Sequence, residues 1–272
     1  MADPTNNSPI GIFDSGIGGL TVAKAIHHLL PHESLIYFGD TAHLPYGDKS
    51  AKAIRSYALR ISNFLLEKGC KAIVIACNTA SSVAYNQVRK HTGSQVMVAN
   101  VIDPMVRYVQ DHHATGKIGV IGTKGTIASR VYPRKIRKAN PDLEVASAAT
   151  PLLCPMIEEG FFNNNISRTI IHSYLSRPQL QDINALILGC THYPLIKNEV
   201  GDYYDGQTDV IDSSEVVAQH VRARLQRKQL LSTRTSRPRN RFFVSDYTDA
   251  FAESTRLFFS DDVQLKKAAI WD

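Results

Sequence analysis

Cys77 and Cys190 hold the same place in two stretches that repeat one another: Ala72-Ile73-Val74-Ile75-Ala76-Cys77-Asn78-Thr79 and Ala185-Leu186-Ile187-Leu188-Gly189-Cys190-Thr191-His192. Each is an unbroken apolar run that stops at a small residue, then a thiol, then hydroxyl, amide or imidazole side chains. Two thiols in matching places suit a reaction with two matching faces. One group takes a proton from one side of a carbon, and the other delivers a proton to the opposite side. A thiol with an ordinary pKa of about 8.5 can play either part near neutral pH. The obstacle is the weak acidity of an amino-acid α-carbon, since each pKa unit of mismatch is worth about 1.4 kcal/mol. Hydrogen-bond donors and helix N-termini must cover that gap. Ser15, Asn78, Thr79 and Thr191 are the natural donors, and Asp14 and His192 can move a proton to or from the neighbouring thiol.

Other chemistries of the same residues compete with this one. Cys77, Cys190 and His192, with His43 as a fourth ligand, would satisfy the ligand count of zinc. The chain has no Cys-x-x-Cys or His-x-x-x-His pair, which speaks against both a metal and a redox pair. Cys70 and Cys154 stand away from the strand tips and read as packing thiols. Two adjacent carboxylates, Glu158-Glu159, precede Gly160; they read either as surface acids of a helix or as further acid–base groups.

An apolar run without alternation fits a strand buried on both faces, and in such sheets ligands bind beyond the carboxyl ends of the strands. Further strands are expected at Ile10–Phe13, Leu35–Phe38, Val96–Ala99, Ile118–Ile121 and Phe242–Val244. Helices are expected from Leu20, after a Ser50 cap, from Thr79 or Ser81, and from Pro104 as first residue after an Ile102-Asp103 cap, and over 214–231 and 249–259. The opening strand runs into Asp14-Ser15-Gly16-Ile17-Gly18-Gly19, a glycine-rich turn before a helix. It falls short of the dinucleotide pattern, and Asp14 would repel a phosphate. After Gly116 the pattern restarts. Ile118 to Gly125 mirrors Ile10 to Gly16, Cys190 mirrors Cys77, and Val210-Ile211-Asp212-Ser213 mirrors Val101-Ile102-Asp103-Pro104. Three correspondences in one order at nearly one spacing indicate a tandem duplication. The remaining tail folds back on the first half, giving one domain of residues 1–98 with 215–272 and a second of 99–214.

With 272 residues, 43% of them apolar, the chain can bury a large core. It lacks an apolar run long enough for a membrane span, and residues 1–9 lack a signal-peptide pattern, so a cytoplasmic protein is expected. The net charge of +6 is local, because residues 222–241 hold eight Arg or Lys and no acid. That stretch reads as a solvated helix end and linker, or as a contact for an anionic partner. No aromatics interleave with it, which argues against nucleic acid.

At Phe13-Asp14-Ser15-Gly16-Ile17-Gly18-Gly19, Pro45-Tyr46-Gly47, Cys77-Asn78-Thr79-Ala80, Glu158-Glu159-Gly160 and Gly189-Cys190-Thr191-His192-Tyr193-Pro194 the sequence resembles the glutamate racemases of the cofactor-independent aspartate/glutamate racemase family. The resemblance implies an α/β fold of two pseudo-symmetric domains, each a mostly parallel sheet flanked by helices, with the site in the cleft between them. It implies interconversion of L- and D-glutamate, supplying D-glutamate for bacterial peptidoglycan, with no cofactor and no metal, in a homodimer. Carried over residue by residue, Cys77 and Cys190 exchange the proton. Asp14 assists Cys77, His192 assists Cys190, and a glutamate of the pair, Glu159 by preference, also assists. Asp14, Ser15, Tyr46, Gly47, Asn78, Thr79, Thr191 and His192 bind substrate. Aspartate or another acidic amino acid is the alternative substrate, and a non-catalytic anion-binding module the alternative from another class.

Overall fold

The computed structural model describes residues 5–259 and 263–271. Residues 1–4, part of the N-terminal arm expected to lack a signal peptide, lie outside that description, as do 260–262 and 272. Four strands open the chain: β1 (Ile10–Asp14), β2 (Leu35–Gly39), β3 (Ala72–Ile75) and β4 (Met97–Asn100). A second set follows: β5 (Gly116–Gly122), β6 (Leu143–Ala149), β7 (Ala185–Gly189) and β8 (Asp209–Ile211), and then β9 (Arg241–Val244) and β10 (Leu265–Lys267). Every strand pairing among the described residues is parallel.

The strands form two sheets, ordered β10-β9-β2-β1-β3-β4 and β6-β5-β7-β8. The stretch β2-β1-β3-β4 and the whole second sheet share one order. Ile10 pairs with Ala72 in the first, and Ile118 with Ala185 in the second, so the registers also correspond. Helices flank both sheets, and the central strands β1, β3 and β7 are buried at every residue. Burial on both faces is why these strands carry unbroken apolar runs.

Several boundaries differ from the expectation. The division after residue 98 falls inside β4, whose pairing with β3 continues to Asn100. The third internal correspondence shifts as well. Val210 and Ile211 lie in β8, whereas Ile102 already opens the helix Ile102–His112, with Pro104 as its third residue. The true counterparts are the capping side chains. Asn100 Oδ1 accepts from the Ile102 and Asp103 N–H groups at 2.8 and 2.9 Å, and Asp212 Oδ1 accepts from Ser214 N–H at 2.8 Å. The helix after Asp212 ends at Arg227, four residues before the expected 231. Strand β6 was not foreseen: Glu144 is exposed and Ala146, Ser147 and Ala149 are only partly buried, so it lacks an apolar run.

The basic stretch is tied into the first sheet. Arg224 Nη1 donates to Val98 O at 2.6 Å, the Asn240 side chain accepts from Leu35 N–H, and β9 then pairs with β2. Beneath it lies a buried ion pair. Lys71 Nζ donates to Glu33 Oε2 and to Asn6 O, each at 2.5 Å, with the side chains 0% and 2% exposed. Glu33 Oε1 also accepts from Ser232 N–H at 2.7 Å, so the pair fastens the N-terminal arm and the linker to one point. Lys71→Met leaves that carboxylate buried without its cation, and the expected loss is about 3–5 kcal/mol in urea unfolding. A loss under about 1 kcal/mol would mean that the pair holds nothing together.

Candidate active site

The carboxyl ends of both sheets face one cavity of about 340 Å³. Its wall takes Ser15 from the loop after β1, Cys77, Asn78 and Thr79 from after β3, and Thr123 and Lys124 from after β5. Cys154 and Glu158 come from beyond β6, and Cys190, Thr191 and His192 from after β7; residues 44–48 complete the wall. Equivalent loops of two equivalent sheets thus supply equivalent thiols to one cavity.

Cys77 is 5% exposed and is the N-cap of the helix Asn78–Thr92. The helix therefore starts ahead of the expected Thr79 or Ser81. The Cys77 Sγ accepts from Ala80 N–H at 3.4 Å, and its thiol donates to Ser15 Oγ at 3.8 Å. Burial, and then the charge of Asp14, push this thiol up to about 12. Asp14 is fully buried, one residue behind the wall. Burial raises its carboxyl, against the His192 charge and the backbone N–H groups around it; Oδ2 accepts from Gly16 N–H at 3.1 Å. Its Oδ1 is buried with no hydrogen-bond partner among the described residues.

On the other side, Cys190 Sγ lies 3.6 Å from His192 Nδ1 and 3.3 Å from Cys154 Sγ. Cys154, burial and the Cys154 charge together push the Cys190 thiol well up, while His192 pulls it back. Burial disfavours the charged His192 ring, but its hydrogen bonds to Cys190 and Glu158 prevail and raise it to about 10. Those contacts favour the charged form of the ring. Its Nε2 donates to Glu158 Oε1 at 2.8 Å.

The expectation for Glu159 is corrected here. Glu158 ends the short helix Leu153–Glu158 and reaches His192, whereas Glu159 is exposed in the turn beyond. Cys154 and Glu158 stand four residues apart on one helix face, so the face that carries Cys154 to the cavity carries Glu158 and not its neighbour. Glu158→Gln is expected to lower kcat about tenfold to a hundredfold, and Glu159→Gln to leave it within about twofold. A steady-state comparison that reverses this order would refute the assignment.

The substrate-side residues fall as follows. Tyr132 OH donates to Asn78 Oδ1 at 2.7 Å, which fixes the amide and leaves the buried Nδ2 donor without a partner among the described residues. Thr79 Oγ1 lies 2.8 Å from Thr123 Oγ1, a hydroxyl contact between the halves. Thr191 O accepts from Thr21 Oγ1 at 2.9 Å, a second tie. Tyr46 lines the cavity and its hydroxyl donates to Asp40 Oδ2 at 2.6 Å; Gly47 borders Thr123. The glycine-rich turn serves close approach. A Cβ on Gly18 would meet the His192 ring at 2.4 Å.

Cys154 departs from the expectation of a packing thiol, because the turn at Thr150–Leu152 aims the first turn of its helix at the cavity. Thr123, Lys124 and Thr150 were also not singled out. Thr123 follows β5 as Ser15 follows β1, so the internal repeat held the signal for it. The zinc set that included His43 is not assembled. His43 Nδ1 lies 2.9 Å from Asp40 Oδ1, and its ring stacks on Tyr57 at 4.1 Å. Cysteine and histidine donors do gather at Cys154, Cys190 and His192, with ligand atoms within 4.8 Å of one another.

Residues 19–221 match the model of the Asp/Glu/Hydantoin racemase family. A glutamate racemase of Geobacter metallireducens is 41% identical over 242 residues, 89% of either chain. One of Neisseria meningitidis is 43% identical over 239 residues, 88% of this chain and 87% of that one. The crystal structure of a glutamate racemase from Francisella tularensis in complex with D-glutamate superposes with a TM-score of 0.91, at 39% identity, over 98% of this chain and 99% of that one.

Proposed function

The chain belongs to the Asp/Glu/Hydantoin racemase family, and from that premise we propose that it interconverts L- and D-glutamate by a two-thiol transfer of the α-proton, without a cofactor. One observation carries this reading: Cys77 and Cys190, each just past the end of an equivalent strand, line the same cavity. Substrate enters with its α-carbon between the two sulfurs. One thiolate removes the α-proton, and the opposite thiol protonates the planar carbanion from its other face. The developing charge on the substrate carboxylate meets the free Asn78 Nδ2, the Thr79 and Thr191 hydroxyls and the first turn of the helix Asn78–Thr92.

The auxiliary groups differ on the two sides. Asp14 places a buried carboxyl with an unpartnered oxygen beside Cys77. His192, oriented by Glu158, places an imidazole proton carrier beside Cys190. Raising a thiol toward 12 makes its thiolate a stronger base but a rarer one. The rate gain therefore comes from stabilising the carbanion and from deprotonating the thiol only when substrate is bound.

Supply of D-glutamate for peptidoglycan, a cytoplasmic location and a homodimer belong to the same proposal, as does a division of the chain into two domains that meet at the cavity. Among the described residues, no helix is long and apolar enough to cross a membrane. The decisive test is polarimetry or circular dichroism on L-glutamate and on L-aspartate with no cofactor added. Loss of rotation with glutamate at a higher kcat/KM supports the reading. Preference for aspartate would change the substrate, and no change with either would point to an anion-binding module. One methylene is worth only about 1–3 kcal/mol of discrimination, so both substrates must be measured.

A further inference from the structure

We infer that Cys154, Cys190 and His192 form a site for one thiophilic divalent cation, such as Zn²⁺ or Cd²⁺, at the wall of the reaction cavity. Their three ligand atoms lie within 4.8 Å of one another. Tetrahedral zinc with bonds of about 2.3 Å to sulfur and about 2.0–2.1 Å to nitrogen places two sulfurs about 3.8 Å apart and a sulfur and nitrogen about 3.6 Å apart. The structure has 3.3 Å between the sulfurs and 3.6 Å from Cys190 Sγ to His192 Nδ1. A widening of about half an ångström between the sulfurs, with Cys154 Sγ, now within 4.8 Å of the imidazole nitrogen, brought to about 3.6 Å from it, completes the geometry.

The ring is already held as a metal-binding ring is. Nε2 donates to Glu158 Oε1 at 2.8 Å, leaving Nδ1 as the nitrogen that faces the sulfurs. Carboxylate–histidine–metal relays have this form. The donor set is soft, two sulfurs and an imidazole, and so selects zinc-like cations over magnesium or calcium. Charge also fits the buried position. The cation binds two thiolates and a neutral imidazole, giving a cluster with no net charge. Two thiol protons leave to solvent, with a third where the ring is charged, and no electron moves. The cavity leaves room for water as a fourth ligand.

Metal binding stands on the geometry alone. Its consequence rests on the proposed racemase reaction: a Cys190 sulfur bonded to the cation cannot exchange a proton, so occupancy stops turnover. The cation is thus an inhibitor rather than a resident cofactor.

The test titrates the full, reduced chain with Cd²⁺ and follows the ultraviolet sulfur-to-cadmium charge-transfer band. One equivalent with the intensity of two thiolates is expected. Cys154→Val should leave at most one thiolate in the band and weaken binding at least about 100-fold, and Glu158→Gln should weaken it about 10- to 100-fold. Cys70→Ala, at a thiol buried elsewhere, should leave the titration unchanged; far-ultraviolet circular dichroism confirms that each variant is folded. A parent that takes up no Cd²⁺, an unaltered titration in Cys154→Val, or loss of the band in Cys70→Ala would overturn the site. Saturating Cd²⁺ should abolish racemisation in the parent, and a chelator should restore it. Full activity with Cd²⁺ bound would overturn the inhibition. A chain that binds Cd²⁺ as described yet racemises nothing would instead overturn the proposed function and leave the site standing.

Discussion

Serine in place of either Cys77 or Cys190 is expected to cut racemisation in deuterated water by about 10³-fold or more. A hydroxyl is a far weaker acid than a thiol, so neither the abstracting nor the returning step keeps its group. Both enantiomers lose kcat/KM by the same factor, because the equilibrium between mirror images in an achiral solvent is fixed at unity. Exchange of the α-proton for deuterium separates the two positions. In each single variant the surviving thiol still serves one face of the carbon. Cys77→Ser and Cys190→Ser should therefore exchange opposite enantiomers, read by proton NMR as loss of the α-proton signal. The two-thiol reaction is falsified if one variant racemises at the parent rate, or if both exchange the same enantiomer. The geometry behind this expectation is the shared cavity, with one sulfur capping the helix Asn78–Thr92 and the other following β7.

His192→Asn should lower kcat about 10²-fold, the share of a positioned proton carrier. The amide can fill part of the ring's space but cannot carry the proton between Glu158 and Cys190. The ring also meets the edge of Phe258 at 5.3 Å, so part of any effect could be packing. The pH dependence separates the two. With the imidazole raised to about 10, the parent keeps its imidazolium across the neutral range and loses it only as the pH rises toward that value. An alkaline limb of kcat that disappears in His192→Asn assigns the proton to this ring. An identical pH profile in parent and variant would leave His192 a packing role alone.

The sequence read alone reaches a long way into this protein because its central strands are buried on both faces. Such strands are largely apolar, so β1, β3 and β7 are legible as runs, as is β5 from Ile118 onward, and whatever follows each run lies at the ligand-binding edge. The internal repeat then pairs Cys77 with Cys190 before any coordinates are known. Where burial is partial the text is weaker: β6 is mostly Ala, Ser and Glu, and β10 is Leu-Lys-Lys. Tertiary structure decided what depends on direction rather than order. Glu158 and Glu159 are adjacent in the chain but point about 100° apart around a helix, and only the placement of that helix selects Glu158. The same placement brings Cys154, 36 residues from Cys190, to within 3.3 Å of it. Sequence spacing carries the period of each element, which local sterics set; how two elements are rotated against one another is set by packing across the whole fold.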